Sequence, residues 1–290
     1  MIQAHILLSD GAVTAEGGDF LTVPWWSFSK TVIAATALRL VDQGRLSLDE
    51  PHDGATLRQL LRHEAGLRDY GTVEAYRQAV AADEPPWPRR ELLDRARADD
   101  LLFPPGEGWA YSNIGYLKAR ERIEAAAGDL KTAASELVLD ATGVIGAWFA
   151  EEPNDLSGVE MGDAQTYDPG WVYHGLFVGP LIGAAHLLDA LLGEGSPLSP
   201  ASRAEMLRPQ ALPQFVRPPW SDAAYGLGLM LPAAPDGWTA AGHTGGGPGS
   251  SIAVYRRMDG VSRAAAVFET SDEEGPVETL ACRLLATGAA

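Results

Sequence analysis

The sequence predicts an α+β fold, an α/β sandwich. In it an antiparallel sheet built from both chain ends is flanked by helices and carries a mostly helical insertion. Three observations predict it. Strand-patterned segments occur at the two ends of the 290 residues. The stretch from about 45 to 220 reads as helices and loops broken by Pro and Gly. Between them, one early helix is apolar all round, as a helix through a core must be.

The elements follow in order. Residues 2–8 and 12–16 are short apolar runs around Asp10-Gly11, a hairpin signal. Thr22-Val23-Pro24 leads through Trp25-Trp26 into a long helix over about 27–43, with Gly44 suited to the position after its end. Phe28, Val32, Ile33, Ala34, Leu38 and Val41 spread around that helix. Further helices are expected over 56–63, 89–98, 114–127 and 184–193. Residues 151–172 and 208–223 are rich in Pro, Gly, Asp and Trp and read as long ordered loops. Strands are expected over 225–231, 238–243, 251–256 and 263–269, then a closing helix over 276–287. The chain reads as one domain, 1–290, with a sheet lobe (1–44 plus 221–290) and a helical insertion (45–220). No internal repeat is visible.

Composition narrows the function classes. Apolar residues make up 46% and charged residues 21%, an ordinary globular balance. The net charge of −17 repels phosphate backbones and anionic lipid, so neither nucleic acid nor membrane is an expected partner. Cys282 is the single cysteine, which excludes an internal disulfide and a cysteine metal cluster; it reads as a small buried hydrophobe. No apolar stretch approaches the roughly 20 residues that span a bilayer. Met1 to Asp10 lacks the cationic start of a secretory signal, so a cytoplasmic location is expected. No cofactor and no metal are expected.

Three short segments carry chemistry. In Ser27-Phe28-Ser29-Lys30, i and i+3 side chains are helical neighbours, and a buried lysine can be neutral enough to accept the serine proton. The buried helix start also offers the Ser27 N–H to a carbonyl oxygen. In Tyr111-Ser112-Asn113, extended backbone turns i and i+2 the same way, so a phenol and an amide face one cavity. Asn113 also directly precedes a helix and can equally be its N-cap. In His243-Thr244-Gly245 a strand ends in the glycine-rich turn Gly246-Gly247-Pro248-Gly249, where a substrate can approach the backbone. Composition alone gives about 0.2 Ser-x-x-Lys, about 0.06 Tyr-x-Asn and about 0.7 His-x-Gly by chance, jointly below about 0.01. Lys30 is one of three lysines and Asn113 one of two asparagines.

Taken together these segments resemble the serine β-lactamase-like and penicillin-binding superfamily, on its class C side. Its members include D-Ala-D-Ala carboxypeptidases, D-aminopeptidases and β-lactamase-related esterases. Trp26 to Thr31 resembles its nucleophile motif. Leu60-Leu61-Arg62-His63-Glu64-Ala65-Gly66-Leu67 resembles a second segment, and Phe103 to Gly106 with Tyr111-Ser112-Asn113 a third. Gly242 to Gly249 is similar to its Lys-Thr-Gly region. The resemblance implies a β-lactamase/transpeptidase-like fold and a serine hydrolase acting on a small ester or amide through an acyl-enzyme on Ser27. Lys30 and Tyr111 would move the proton, in an order left open, and the Ser27 and Gly246 N–H groups would form the oxyanion hole. Asn113, His243, Thr244 and Gly245 would contact substrate.

Two departures shape the expectation. Relatives usually carry an extra helix ahead of the nucleophile, whereas 26 residues precede Ser27. His243 stands where β-lactamases have lysine, and a neutral imidazole attracts a carboxylate less. That points to esterase or peptidase relatives and away from a true β-lactamase; an esterase is the first expectation, with a D-amino-acid peptidase or carboxypeptidase, or a weak β-lactamase, as the alternatives. A non-catalytic protein using the cleft for binding is the alternative of another class. No Gly-x-Ser-x-Gly elbow is present. His63 lacks a second zinc-ligating histidine and reads as structural. Asp49, Glu50, His52 and Asp53 read as a solvated acidic loop. Of the tryptophans, Trp109 and Trp220 are the expected exceptions to core packing.

Overall fold

The computed structural model describes residues 2–16 and 21–289. The chain opens with the hairpin β1 (Ile2–Ser9) and β2 (Ala12–Glu16). Asp10 and Gly11 both have positive φ, 50° and 80°, as the tight hairpin turn requires. β3 (Thr22–Pro24) runs into a 3₁₀ turn at Trp26–Phe28 and then α1 (Ser29–Asp42). The long helix thus starts two residues later than the pattern suggests, with Ser27 in the turn ahead of it.

The middle of the chain holds α2 (Leu57–Leu61), α3 (Glu74–Ala81), α4 (Arg89–Arg95), α5 (Asn113–Ala127) and α6 (Leu130–Ala134). A capping box starts α2: the Thr56 hydroxyl accepts from Gln59 N–H, and the Gln59 carboxamide oxygen accepts from Thr56 N–H. β4 (Trp148–Ala150) and β5 (Leu176–Pro180) join β3 in a small sheet ordered β3-β5-β4. Then come α7 (Leu181–Leu192), α8 (Pro200–Met206), and the two-residue pair β6 (Gln210–Ala211) and β7 (Ala224–Tyr225). The chain closes with β8 (Ala240–Gly247), β9 (Ser250–Arg257), β10 (Arg263–Glu269) and α9 (Glu274–Thr287).

Among the described residues the main sheet has five strands ordered β2-β1-β10-β9-β8, all antiparallel. The N-terminal hairpin docks on the C-terminal meander through β1 and β10, so both chain ends complete one sheet. Both faces are covered. Ile252, Val254, Ala266 and Phe268 point to the side of α7, while Ala253, Tyr255, Ala265 and Val267 point to α9. Burial on two faces explains why these strands read as near-continuous apolar runs. Each large side chain so removed from water contributes about 1.5–3 kcal/mol.

Elements of the two expected lobes interleave. α7, from the 45–220 segment, packs on β1, β9 and β10, and the small sheet pairs β3 with β5. The strand expected over 225–231 is reduced to β7 and single bridges from Tyr225 and Gly242 to Met230. Its glycines serve close approach instead: a Cβ on Gly228 would stand 2.7 Å from the Lys30 carbonyl oxygen, and one on Gly226 2.1 Å from that of Met206. The strand expected over 238–243 runs on to Gly247, because β9 supplies partners for Gly245, Gly246 and Gly247; the turn is only Pro248-Gly249. No helix among the described residues is long and apolar enough to cross a membrane.

Candidate active site

Ser27 owes its position to strain and to two glycines. Trp26 has φ 38°, a left-handed conformation that costs a non-glycine residue about 1–3 kcal/mol. Its side chain is fixed on several sides. The indole N–H donates to Ser250 Oγ at 3.0 Å, Tyr167 packs edge-on, and a Cβ on Gly247 would stand 2.5 Å from the ring. A Cβ on Gly245 would stand 2.4 Å from Ser27 N, so β8 lies directly against the turn. Ser27 itself is half-buried and reachable from the cleft.

Ser27 Oγ meets two groups. Lys30 Nζ lies 3.2 Å away and the Tyr111 hydroxyl donates to it at 3.0 Å. Lys30 is fully buried, and burial lowers its pKa from 10.5 to about 7 against the smaller opposing pull of Asp69 and Glu274. Burial therefore favours the neutral amine, the form that can accept a proton. Tyr111 is pushed the other way, well above 10, by enclosure and then by Tyr225, so it keeps its proton. Among the described residues the second hydrogen-bond partner of Lys30 Nζ is His174 Nε2 at 3.2 Å, and His174 Nδ1 lies 3.3 Å from the Tyr70 hydroxyl. Burial, then Lys30, holds His174 well below 6.5, so it is neutral.

The Tyr111 segment is held by His63 and Asp69. His63 accepts the Ser112 N–H at 3.1 Å, and its ring lies 4.4 Å from that of Tyr111. It is buried and neutral, as a structural histidine is. Ser112, not Asn113, caps α5: its hydroxyl accepts from Gly115 N–H at 3.0 Å. Asn113 is the first helical residue. Its N–H donates to Asp69 at 3.0 Å, its side chain borders the cleft, and its Oδ1 has no hydrogen-bond partner among the described residues. Among the described residues it is His174, and not Asn113, that is hydrogen-bonded to Lys30 Nζ.

On β8 the four expected residues separate. Gly242 exchanges both backbone hydrogen bonds with Met230 on the outer edge of the strand. With a period of two, the N–H groups of Thr244 and Gly246 face the same edge. Thr244 and Gly246 border the cleft; His243 and Gly245 do not. His243 is fully buried, with Nε2 2.9 Å from the Tyr225 hydroxyl and Nδ1 2.6 Å from Thr244 O. With the proton on Nδ1, Nε2 accepts from Tyr225. Burial, then Lys30, holds its pKa at about 3. His243 and Gly245 lie behind the cleft lining, His243 against the Tyr225 hydroxyl and Gly245 against Ser27 N.

The cleft encloses about 450 Å³. Trp109 and Trp220 are in its wall, while Trp25 and Trp171 are core. Sequence reasoning missed His174, Tyr70, Tyr225, Glu274 and Glu278, none of which sits in a recognisable pattern. A second groove, about 510 Å³, is lined by Arg45, His52, Lys118 and Arg122, and none of its charged side chains is buried. Asp49 of the acidic loop pairs with Arg58 at 2.7 Å. No metal-binding group of His, Cys, Asp and Glu occurs among the described residues. Cys282 is half-buried, and burial pushes its thiol up to about 11.

Comparison with known proteins adds the following. The beta-lactamase family profile matches residues 22–286. Penicillin-binding protein 4* of Bacillus subtilis (strain 168) is 27% identical over 290 aligned positions, covering 86% of this chain. The chain spans 60% of the length of that curated relative. The D-stereospecific amidohydrolase from Streptomyces sp. superposes with a TM-score of 0.81 at 23% identity, over 100% of this chain and 95% of that one. The D-amino acid amidase from Ochrobactrum anthropi SV3 does so with 0.81 at 21% identity, over 98% and 96%. These two likenesses are likenesses of fold.

Proposed function

The chain belongs to the beta-lactamase family, and from that premise we propose that it hydrolyses a small carboxylic amide or ester through an acyl-enzyme on Ser27. The observation that carries this reading is one oxygen, Ser27 Oγ, within hydrogen-bond reach of a buried amine with a pKa of about 7 and of a protonated phenol.

Neutral Lys30 takes the Ser27 proton as Oγ bonds to the substrate carbonyl carbon, and the carbonyl π electrons move to oxygen. The N–H groups of Ser27 and Gly246 receive that oxyanion. When the tetrahedral adduct collapses, the C–N or C–O bond breaks. The leaving atom takes a proton from Tyr111, which Lys30 replaces. Water then attacks the acyl carbonyl, gives a proton back through the same pair, and Ser27 leaves reprotonated. With its own proton on Nδ1, His174 accepts one Lys30 N–H through Nε2 and leaves the lysine lone pair aimed at Ser27. Asn113 offers its carboxamide to the acyl side, and His243 supports Tyr225 and β8.

Amides come ahead of esters here because the two superposing enzymes are named for amide hydrolysis; an esterase is the second reading. The test is labelling with a fluorophosphonate followed by peptide mass spectrometry. An adduct on Ser27, lost in Ser27→Ala, is expected; an unlabelled Ser27 between pH 6 and 9 overturns the reading. Paired amide and ester panels then separate the two substrate classes.

A further inference from the structure

The wall of the cleft beyond Thr244 is acidic. Four charged residues border it: Arg217, Asp222, Glu274 and Glu278. Arg217 is the single cation among them and is already bridged, donating to Glu274 at 3.3 Å and to Glu278 at 3.1 Å. Its side chain is 55% exposed, so water shares its charge. Glu274 and Glu278 are better enclosed, whereas Asp222 is exposed. Glu278 is 2% exposed; its Oε1 accepts the Thr244 hydroxyl at 2.7 Å, and its Oε2 has no hydrogen-bond partner among the described residues. Glu274 Oε1 lies 3.2 Å from where a Cβ on Gly246 would stand, on the strand residue whose N–H faces the cleft.

A buried carboxylate oxygen without a donor is an unmet demand for one. A carboxylate beside a developing oxyanion opposes it, unless a positive group lies between or alongside. Both demands are met by the same thing, a cation brought by the ligand. We propose that Glu274 and Glu278 form an ammonium subsite beside Ser27, so that the preferred substrate is an amide or ester bearing a protonated amine and not a carboxylate. A substrate carboxylate would meet three acidic side chains and one guanidinium already engaged by two of them. The neutral His243 behind β8 adds no positive charge to offset this. The substrate assignment rests on the hydrolase reading above; the subsite itself does not.

The experiment therefore has a binding arm and a rate arm. Titration calorimetry of the full chain with benzylammonium, benzyl alcohol and benzoate should give at least a tenfold tighter complex for the ammonium. Glu278→Gln should abolish that preference and Glu274→Gln should reduce it. If Glu278→Gln does not fold, Glu274→Gln and the unmutated protein decide. Equal binding of benzoate, absence of benzylammonium binding at millimolar concentration, or a preference that survives both substitutions overturns the proposal. In the rate arm, phenylalanine amide should exceed its N-acetyl and N-succinyl derivatives at least tenfold in kcat/KM. Labelled Ser27 with no such order overturns the substrate assignment and leaves the hydrolase reading standing. Ammonium preference with an unlabelled Ser27 does the reverse.

Discussion

In the proposed reaction Lys30 is the residue on which the chemistry turns, because its surroundings favour the neutral amine. Burial removes its hydration, and the hydrogen bonds it makes in exchange are to two neutral groups, Ser27 and His174. The pH dependence follows with a definite sign. The neutral amine is the active form and its pKa is about 7, so kcat/KM should rise as pH increases through 7 and level off above it. A profile flat from pH 5 to 9 would contradict the role of Lys30. Lys30→Ala should lower kcat/KM by about 10²–10⁴, the usual weight of a positioned proton acceptor. His174→Ala should act through Lys30, lowering kcat while leaving KM near its original value; a change confined to KM would place His174 at the substrate instead. Ser27, Lys30, Tyr111 and Asn113 were legible because each pair is close in sequence, at i,i+3 or i,i+2. His174 was not, since it reaches Lys30 across 144 residues, nor was Glu278, which meets Thr244 only because α9 folds over β8.

At the scale of elements, the close approach of β8 to the turn before α1 is the feature that sets the cleft. Gly245→Ala would drive a Cβ to 2.4 Å from Ser27 N and 2.9 Å from Trp26 Cβ, backbone and rigid side chain that cannot swing away. Overpacking of this kind costs about 1–3 kcal/mol, and here it also displaces Ser27, the proposed nucleophile. The variant should melt lower and lose fluorophosphonate labelling together. Gly275→Ala is the contrast: nothing lies within 4 Å of the added carbon, and the site is in α9. It should raise stability by about 0.5–1 kcal/mol, by removing backbone freedom from the unfolded chain. The hairpin, α1, α5, β9, β10 and α9 were readable from periodicity and turn residues. β4 and β5, of three and five residues, are too short to carry a period. In 225–231 the alternation of Gly with Leu mimicked a strand, although the glycines are there for contact with α1 and α8.

Across the whole molecule, α1 joins the helical region, packing on α5, α6 and α8, to the turn against which β8 lies, and it carries a buried lysine in its first turn. That arrangement has a thermodynamic signature. A pKa held at about 7 instead of 10.5 corresponds to about 5 kcal/mol against folding when Lys30 is charged. Between these values the unfolded chain binds a proton that the folded one does not, so stability contributed by this site rises with pH across the window from 7 to 10.5. Below 7 both states are protonated and the full penalty applies. Lys30→Met keeps the side-chain length and removes the titration. The stability difference, Lys30→Met minus the unmutated protein, should therefore be constant below about pH 6. It should then shrink by about 1.4 kcal/mol for each pH unit above 7. The buried tyrosines Tyr70, Tyr111 and Tyr255 are held well above 10 and reverse the slope at high pH, but they are common to both proteins and cancel in the difference. Urea unfolding at pH 6, 7, 8 and 9 measures it. A pH-independent difference would mean that Lys30 is solvated in the folded state, and with that the proton-accepting chemistry assigned to Ser27 and Lys30 would lose its physical basis.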